Sequence, residues 1–168
     1  MGKHMISVEV LCKHMAWANQ EIYKAVQKLD NKVLDYYIVD PEWTVKNIMI
    51  HIVGASHLYG QRLNGDPFSK FELKNPDSPN FIDELLEHLE RIDAELVKNS
   101  NLDDGEIRFM TAKGERSATA SSILSQMVFH SAEHRAQIVA ALDNHGVRDI
   151  NLDDYDVWSY IDSTKQGD

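Results

Sequence analysis

The chain has 168 residues, 43% of them apolar, and 17 basic side chains against 27 acidic ones give it a formal charge of −10. A chain of this length can bury roughly two thirds of its unfolded surface in one core, so a single domain over residues 1–168 is expected. The acidic balance, with no Lys/Arg cluster or aromatic-basic stripe, argues against a nucleic-acid surface, whose affinity comes from cations on phosphates. No apolar run approaches the length of a membrane span, and the N-terminus lacks the apolar stretch and cleavage site of a secretory leader. The one cysteine, Cys12, excludes an internal disulfide and a cysteine-rich metal centre. These features point to a cytoplasmic protein without nucleic-acid or membrane partners. Gly2, Lys3 and His4 read as vector-derived, so His4 carries no weight.

From Val8 the apolar residues Val8, Leu11, Met15, Ala18, Ile22, Ala25 and Leu29 alternate at three and four, the stripe of a helix of about six turns. Trp17, beside that stripe with His14, reads as a core or interface aromatic, and Cys12 as a packing residue. Asp30, Asn31 and the Asp40-Pro41 step end the helix and open a loop. Thr44 is a good N-cap for a second helix reaching about Asn64 and Gly65, with Val45, Ile48, Ile52, Ala55, Tyr59 and Leu63 as its core line. His51 borders this line, where a histidine is by default a hydrogen-bonded core residue. Gly54, unfavourable by about 1 kcal/mol relative to Ala inside a helix, suits a close helix approach or room for a ligand near His51. His57 points roughly the opposite way.

Residues 65–79 contain Gly65, Pro67, Pro76 and Pro79 and must form a long connection, able to cross the end of a helical bundle. Ser78-Pro79 is a cap-plus-first-turn pattern, and Phe81 or Ile82, Leu85, Leu89, Ile92 and Leu96 make a third amphipathic helix whose acidic face reads as solvated. In residues 105–117, Ile107, Phe109 and Thr111 alternate and Lys113-Gly114 supplies a turn, so a short β-hairpin is expected. Residues 117–145 form a fourth helix, stopped by Gly146. Beyond it Tyr155, Val157, Trp158 and Ile161 could pack a short terminal helix, and the last residues should fray. The expected architecture is all-α: a four-helix bundle with long crossover connections, a small hairpin before the last bundle helix, a core of about 7–146 and a C-terminal extension over 147–168.

His130 and His134 are one turn apart on one helix face, so their imidazoles can point at one metal ion. The spacing is weak alone and needs a third ligand. Three neutral imidazoles, one from the second helix and two from the fourth, would bind a borderline divalent ion such as zinc or nickel and leave coordination positions open. The alternative is three core histidines with no metal.

FHSAEHRAQI is similar to the H-x3-H-R-[GA]-Q signature of the DinB-like, damage-inducible proteins, with His130 and His134 in its ligand positions and Arg135 and Gln137 in its tail. EWTVKNIMIH, Trp43-Thr44 followed by His51, resembles the second-helix motif that carries the third ligand in that family. HMAWANQEIY resembles its first-helix W-A-N signature. The likeness runs in order over nearly the whole chain, hairpin included. It implies a metal held by His51, His130 and His134 in a bundle that is often a homodimer, related to bacillithiol- and mycothiol-dependent transferases and to maleylpyruvate isomerase. The sequence departs from the common pattern at Phe129, where many members have Asn, and at Gln126 and Glu133, where His is frequent; these differences bear on the substrate and leave the triad intact.

The function implied is a metal-dependent enzyme that presents a low-molecular-weight thiol or a water to a small electrophilic substrate, as an S-transferase or hydrolase does. Gln137 and Arg135 are candidate positioning donors, Arg135 being equally suited to a surface salt bridge. The competing reading is a non-catalytic metal- or ligand-binding stress-response dimer. Trp17, Tyr36, Tyr37, Trp43, Trp158 and Tyr160 exceed what the helix stripes need, so some could line a subunit interface.

Overall fold

A computed structural model describes residues 8–165; the vector-like residues 2–4 and the last residues, expected to fray, lie outside the described residues. Five helices and one antiparallel hairpin follow in the order α1 (Glu9–Gln27), α2 (Val45–Asn64), α3 (Phe81–Asn99), β1 (Glu106–Thr111), β2 (Gly114–Thr119), α4 (Ala120–Asn144) and α5 (Val157–Lys165). Short 3-10 turns at Asn31–Asp35 and Leu152–Tyr155 precede α2 and α5. No helix of the described residues is long and apolar enough to cross a membrane.

Helices α1 to α4 share one core, centred on Met15, Ile22, Ile48, Ile52, Leu89 and Met127. Gln27 at the end of α1 bonds Asp83 at the start of α3, so these two run antiparallel. Lys46 at the start of α2 stands over the Phe81 ring at the start of α3, and Asn64 and Asn99 bond at their far ends. These contacts make α2 and α3 parallel. A parallel neighbour requires the chain to return over the helix length, about 30 Å for twenty residues, which is the work of residues 65–80. Trp43 meets Gln137 and Tyr59 meets His130, so α4 runs antiparallel to α2.

The caps act within one turn and fall where local chemistry puts them. Thr44 Oγ1 accepts from Asn47 N at 3.2 Å, and Gly65 ends α2 at φ 69°, a left-handed conformation that costs glycine nothing. Thr44→Ala is expected to lower stability by about 1 kcal/mol, measured as a reduced urea midpoint at unchanged slope. Two helix starts differ from expectation. Ser78 Oγ accepts from Asn80 N, and Phe81 N bonds Ser78 O, so Ser78-Pro79 forms the turn before α3. Helix α4 begins only at Ala120, because residues 114–119 are taken by β2, and Thr119 is its cap.

In the hairpin, Thr111 pairs with Gly114 across Ala112 and Lys113, one residue earlier than the expected Lys113-Gly114 turn. Gly114, at φ 109°, already belongs to β2. Phe109 lies beneath the Arg62 guanidinium of α2, which anchors the hairpin to the helices.

The stripe of α1 is also displaced. Cys12, Met15, Ala18, Asn19, Ile22, Tyr23 and Val26 are buried, while Leu11 is exposed and Ala25 is half-buried. Both α3 and α4 pack on α1, so its inner face is wider than one three-four line and takes in polar side chains that find partners there. Gly54 faces the α2–α3 connection and not a neighbouring helix: a Cβ would meet the Phe71 ring at 3.7 Å. Helix α5 packs Tyr160, with Tyr155 just before it, on Trp17 of α1. His14 bonds the Tyr155 carbonyl at 2.8 Å. Trp158, expected to share that packing, is instead 73% exposed.

Candidate metal site

Trp43 and His51 come from the first half of α2 and its approach, His130, His134 and Gln137 from the middle of α4. Because α2 and α4 are antiparallel neighbours, these two stretches meet at one level. His51 Nε2 lies 2.9 Å from His130 Nε2, and His130 Nε2 lies 3.1 Å from His134 Nε2. A ligating atom from each of the three comes within 4.8 Å of the others, a grouping that could hold a metal ion. The three side chains read from the sequence are thus brought together, and His57 is not among them: it contacts Gln61 and Ser69.

A chain of donors sets the protonation of the site. The Trp43 indole nitrogen can only donate, so the Gln137 side-chain atom 3.0 Å from it is the carbonyl oxygen. That same oxygen lies 2.8 Å from His134 Nδ1, so in the neutral ring Nδ1 is the nitrogen that carries the proton. His134 Nε2 is left with a lone pair aimed at His130. No distribution of protons over three neutral rings turns both Nε2 contacts into linear hydrogen bonds, since one proton on His130 serves one neighbour and a proton on His51 leaves two lone pairs opposed. A single cation accepts all three lone pairs. Two nitrogens each about 2.0–2.1 Å from one ion stand about 2.8–3.0 Å apart at a right angle and about 3.3–3.4 Å apart at the tetrahedral angle, and both observed separations fall within that span. The donor set therefore fits a borderline divalent ion.

Electrostatics point the same way. Burial, together with the neighbouring His134 and His51, pushes the His130 imidazole down to about 4, and burial with His134 also lowers His51. Both shifts favour the neutral imidazole of His130 and His51, the form in which a histidine ligates. The metal-free protein then carries a pH signature: an unfolded histidine titrates near 6.5, so below that pH the unfolded chain binds protons that folded His130 refuses. Stability present above about 6.5 is expected to decline as pH falls towards about 4, and His130→Gln should flatten that decline in urea titrations of chelated protein.

Trp43 walls the site edge-on, its ring 5.0 Å from His51 and 5.6 Å from His134, and Tyr59 stands edge-on to His130. His51 is exposed, while His130 and His134 are half-buried. The cluster lies at the margin of the α2–α4 seam, with one of its three rings open to solvent. Arg135 departs from expectation. It is neither on the surface nor beside the rings: it is 5% exposed, and its Nη1 donates to Asn19 Oδ1 of α1 at 2.7 Å. Glu133 is exposed, as its position on the helix implied.

Asn19, whose place beside the core line of the first helix was readable, is fully buried, and Asp93 is a buried polar group that sequence reasoning missed. Asp93 lies among the acidic residues of α3, and only its position on the Leu89, Ile92, Leu96 face could have marked it. Several surplus aromatics have partners within the chain: Tyr36 stacks on His145 at 4.1 Å, and Trp17 and Tyr160 pack together.

No curated protein and no solved structure matches the chain. The DinB family model, however, covers residues 1–166, nearly the full length that carries these motifs, and the chain belongs to the DinB family.

Proposed function

We propose that this protein is a metal-dependent enzyme in which His51, His130 and His134 hold a zinc or nickel ion between α2 and α4 of a four-helix bundle. It would act on a small electrophile with a low-molecular-weight thiol or water as nucleophile, in the manner of an S-transferase or hydrolase. The observation that carries this reading is the convergence of three imidazole nitrogens whose lone pairs cannot all be satisfied by protons. When bound, such an ion lowers the pKa of a coordinated thiol or water. Three protein ligands leave it coordination positions for that role.

The chain's own residues supply the setting. Gln137 orients His134 and keeps its Nδ1 protonated, so we assign Gln137 to the ligand and not to the substrate. Trp43 covers one flank and ties α2 to Gln137, and Arg135 acts from the core. A cytoplasmic homodimer with a small-molecule substrate completes the reading; the single buried cysteine and the exposed Phe129 and Trp158 support it.

The exposure of His51 favours a second reading, a dimer that binds metal or ligand without enclosing a substrate. Protein purified without nickel resin separates the two. The enzyme reading expects about one equivalent of zinc or nickel and thiol-dependent consumption of an electrophile that His130→Ala abolishes. Metal without any turnover across a panel of thiols and electrophiles supports the second reading, and protein with no affinity for either ion defeats both.

A further inference from the structure

Asp93 is 1% exposed, and neither of its carboxylate oxygens has a hydrogen-bond partner. Asn19, fully buried, accepts from Arg135 through Oδ1 while its Nδ2 has no acceptor. Three helices thus bring a carboxyl, an amide and a guanidinium into one apolar core: α1 Asn19, α3 Asp93 and α4 Arg135. Unpaired buried polar groups are rare and costly, so this cluster calls for a reason. Tyr23 and Cys12 of α1 also border Asp93, but the Tyr23 hydroxyl already donates to the Met49 carbonyl, and a thiol is a weak donor. Arg135 is the charge left to answer it. Burial drives the Asp93 carboxyl up and the Arg135 guanidinium down, and each pulls the other back towards its charged form. No direct ion pair joins them among the described residues. An enclosed water, which needs two to four polar partners, is the group that would satisfy both Asp93 and the Asn19 amide.

Arg135 sits in the middle of the buried line Ser131, Arg135, Ile138 and Leu142 of α4, one residue after His134. We propose that Asp93 is the internal counter-ion of Arg135, and that this link, tied to α1 through Asn19, sets the rotation of α4 that aims His130 and His134 at His51. The lever is short. A side-chain end roughly 5–6 Å from a helix axis moves by about 1 Å when the helix turns by about 10°, enough to spoil a ligand set. Asp93 is then a positioning residue for the triad; this part of the inference rests on the metal-site reading above.

The test uses the full chain with Asp93→Asn, Arg135→Met, the double variant and Arg135→Lys, first free of metal. Urea midpoints are expected to fall in each single neutral variant, because each strands a buried group. The double variant should recover at least half of the summed loss, and Arg135→Lys should lose less than Arg135→Met. Losses that simply add overturn the counter-ion assignment. The Trp43 indole N–H resonance, identified by Trp43→Phe, reads the Trp43–Gln137 contact on the α2–α4 seam without any metal. It should shift in Asp93→Asn, which still folds if its near-isosteric amide is tolerated, and return towards the wild-type position in the double variant; should Asp93→Asn fail to fold, Arg135→Lys against wild type gives the same readout. An unmoved resonance overturns the positioning role. Zinc affinity should fall about tenfold or more in Asp93→Asn. If the wild type itself takes up neither zinc nor nickel, the metal reading fails, while the midpoints and the indole resonance still decide the link between Asp93, Arg135 and the seam.

Discussion

Replacing His130 by alanine is expected to abolish stoichiometric metal binding, the largest effect of any single substitution at the site. His130 is the middle ring: its Nε2 is the atom that both His51 and His134 approach, at 2.9 and 3.1 Å. Removing it leaves His51 and His134 on different helices with no bridging donor between them. Two imidazoles hold a divalent ion far more weakly than three, and the vacated volume admits water in place of a ligand. Elemental analysis of wild type and variant, both purified without nickel resin and dialysed against the same zinc buffer, is the measurement. His57→Ala is the control, because His57 is bonded to Gln61 and Ser69 and takes no part in the cluster; it should leave the metal content unchanged. Full metal loading in His130→Ala would refute the assignment.

Gln137→Leu is expected to weaken metal binding by about 10–100-fold, the usual cost of removing an outer partner of a metal-bound histidine. Its carbonyl oxygen accepts from both the Trp43 indole and His134 Nδ1. Leucine keeps the bulk and removes the acceptor. His134 is then free to place its proton on Nε2, the nitrogen that must carry a lone pair for ligation, and the buried side of Trp43 loses its partner as well. The loss should appear as a raised Kd for zinc in a chelator competition, with the urea midpoint falling less than it does for a core substitution. Gln137→Glu keeps an acceptor and is expected to bind metal more tightly than Gln137→Leu. Equal affinities in all three proteins would show that the tautomer is set elsewhere.

Much of the scaffold was legible from local chemistry. The start of α2 after Thr44 and its stop near Asn64 and Gly65 were readable because a threonine cap and a left-handed glycine act within a turn of the helix end. The spacing of His130 and His134 gave their shared face. The start of α4 was read three residues too early, because Ser117 to Thr119 are as acceptable in a strand as in a helix, and only pairing with β1 decides between them.

The order of residues along the chain, by itself, determined the helical segments, their stops, the hairpin and the one-turn pair of imidazoles, since all of these depend on interactions between near neighbours. Tertiary packing alone decided that His51 stands against His130, seventy-nine positions away, and that Arg135 reaches Asn19 across 116 positions to lie in the core. The reason is physical. Whether a charged or polar side chain faces water or another helix depends on which helices become neighbours and in which direction they run, and the parallel pairing of α2 with α3 across residues 65–80 sets that arrangement for the whole molecule.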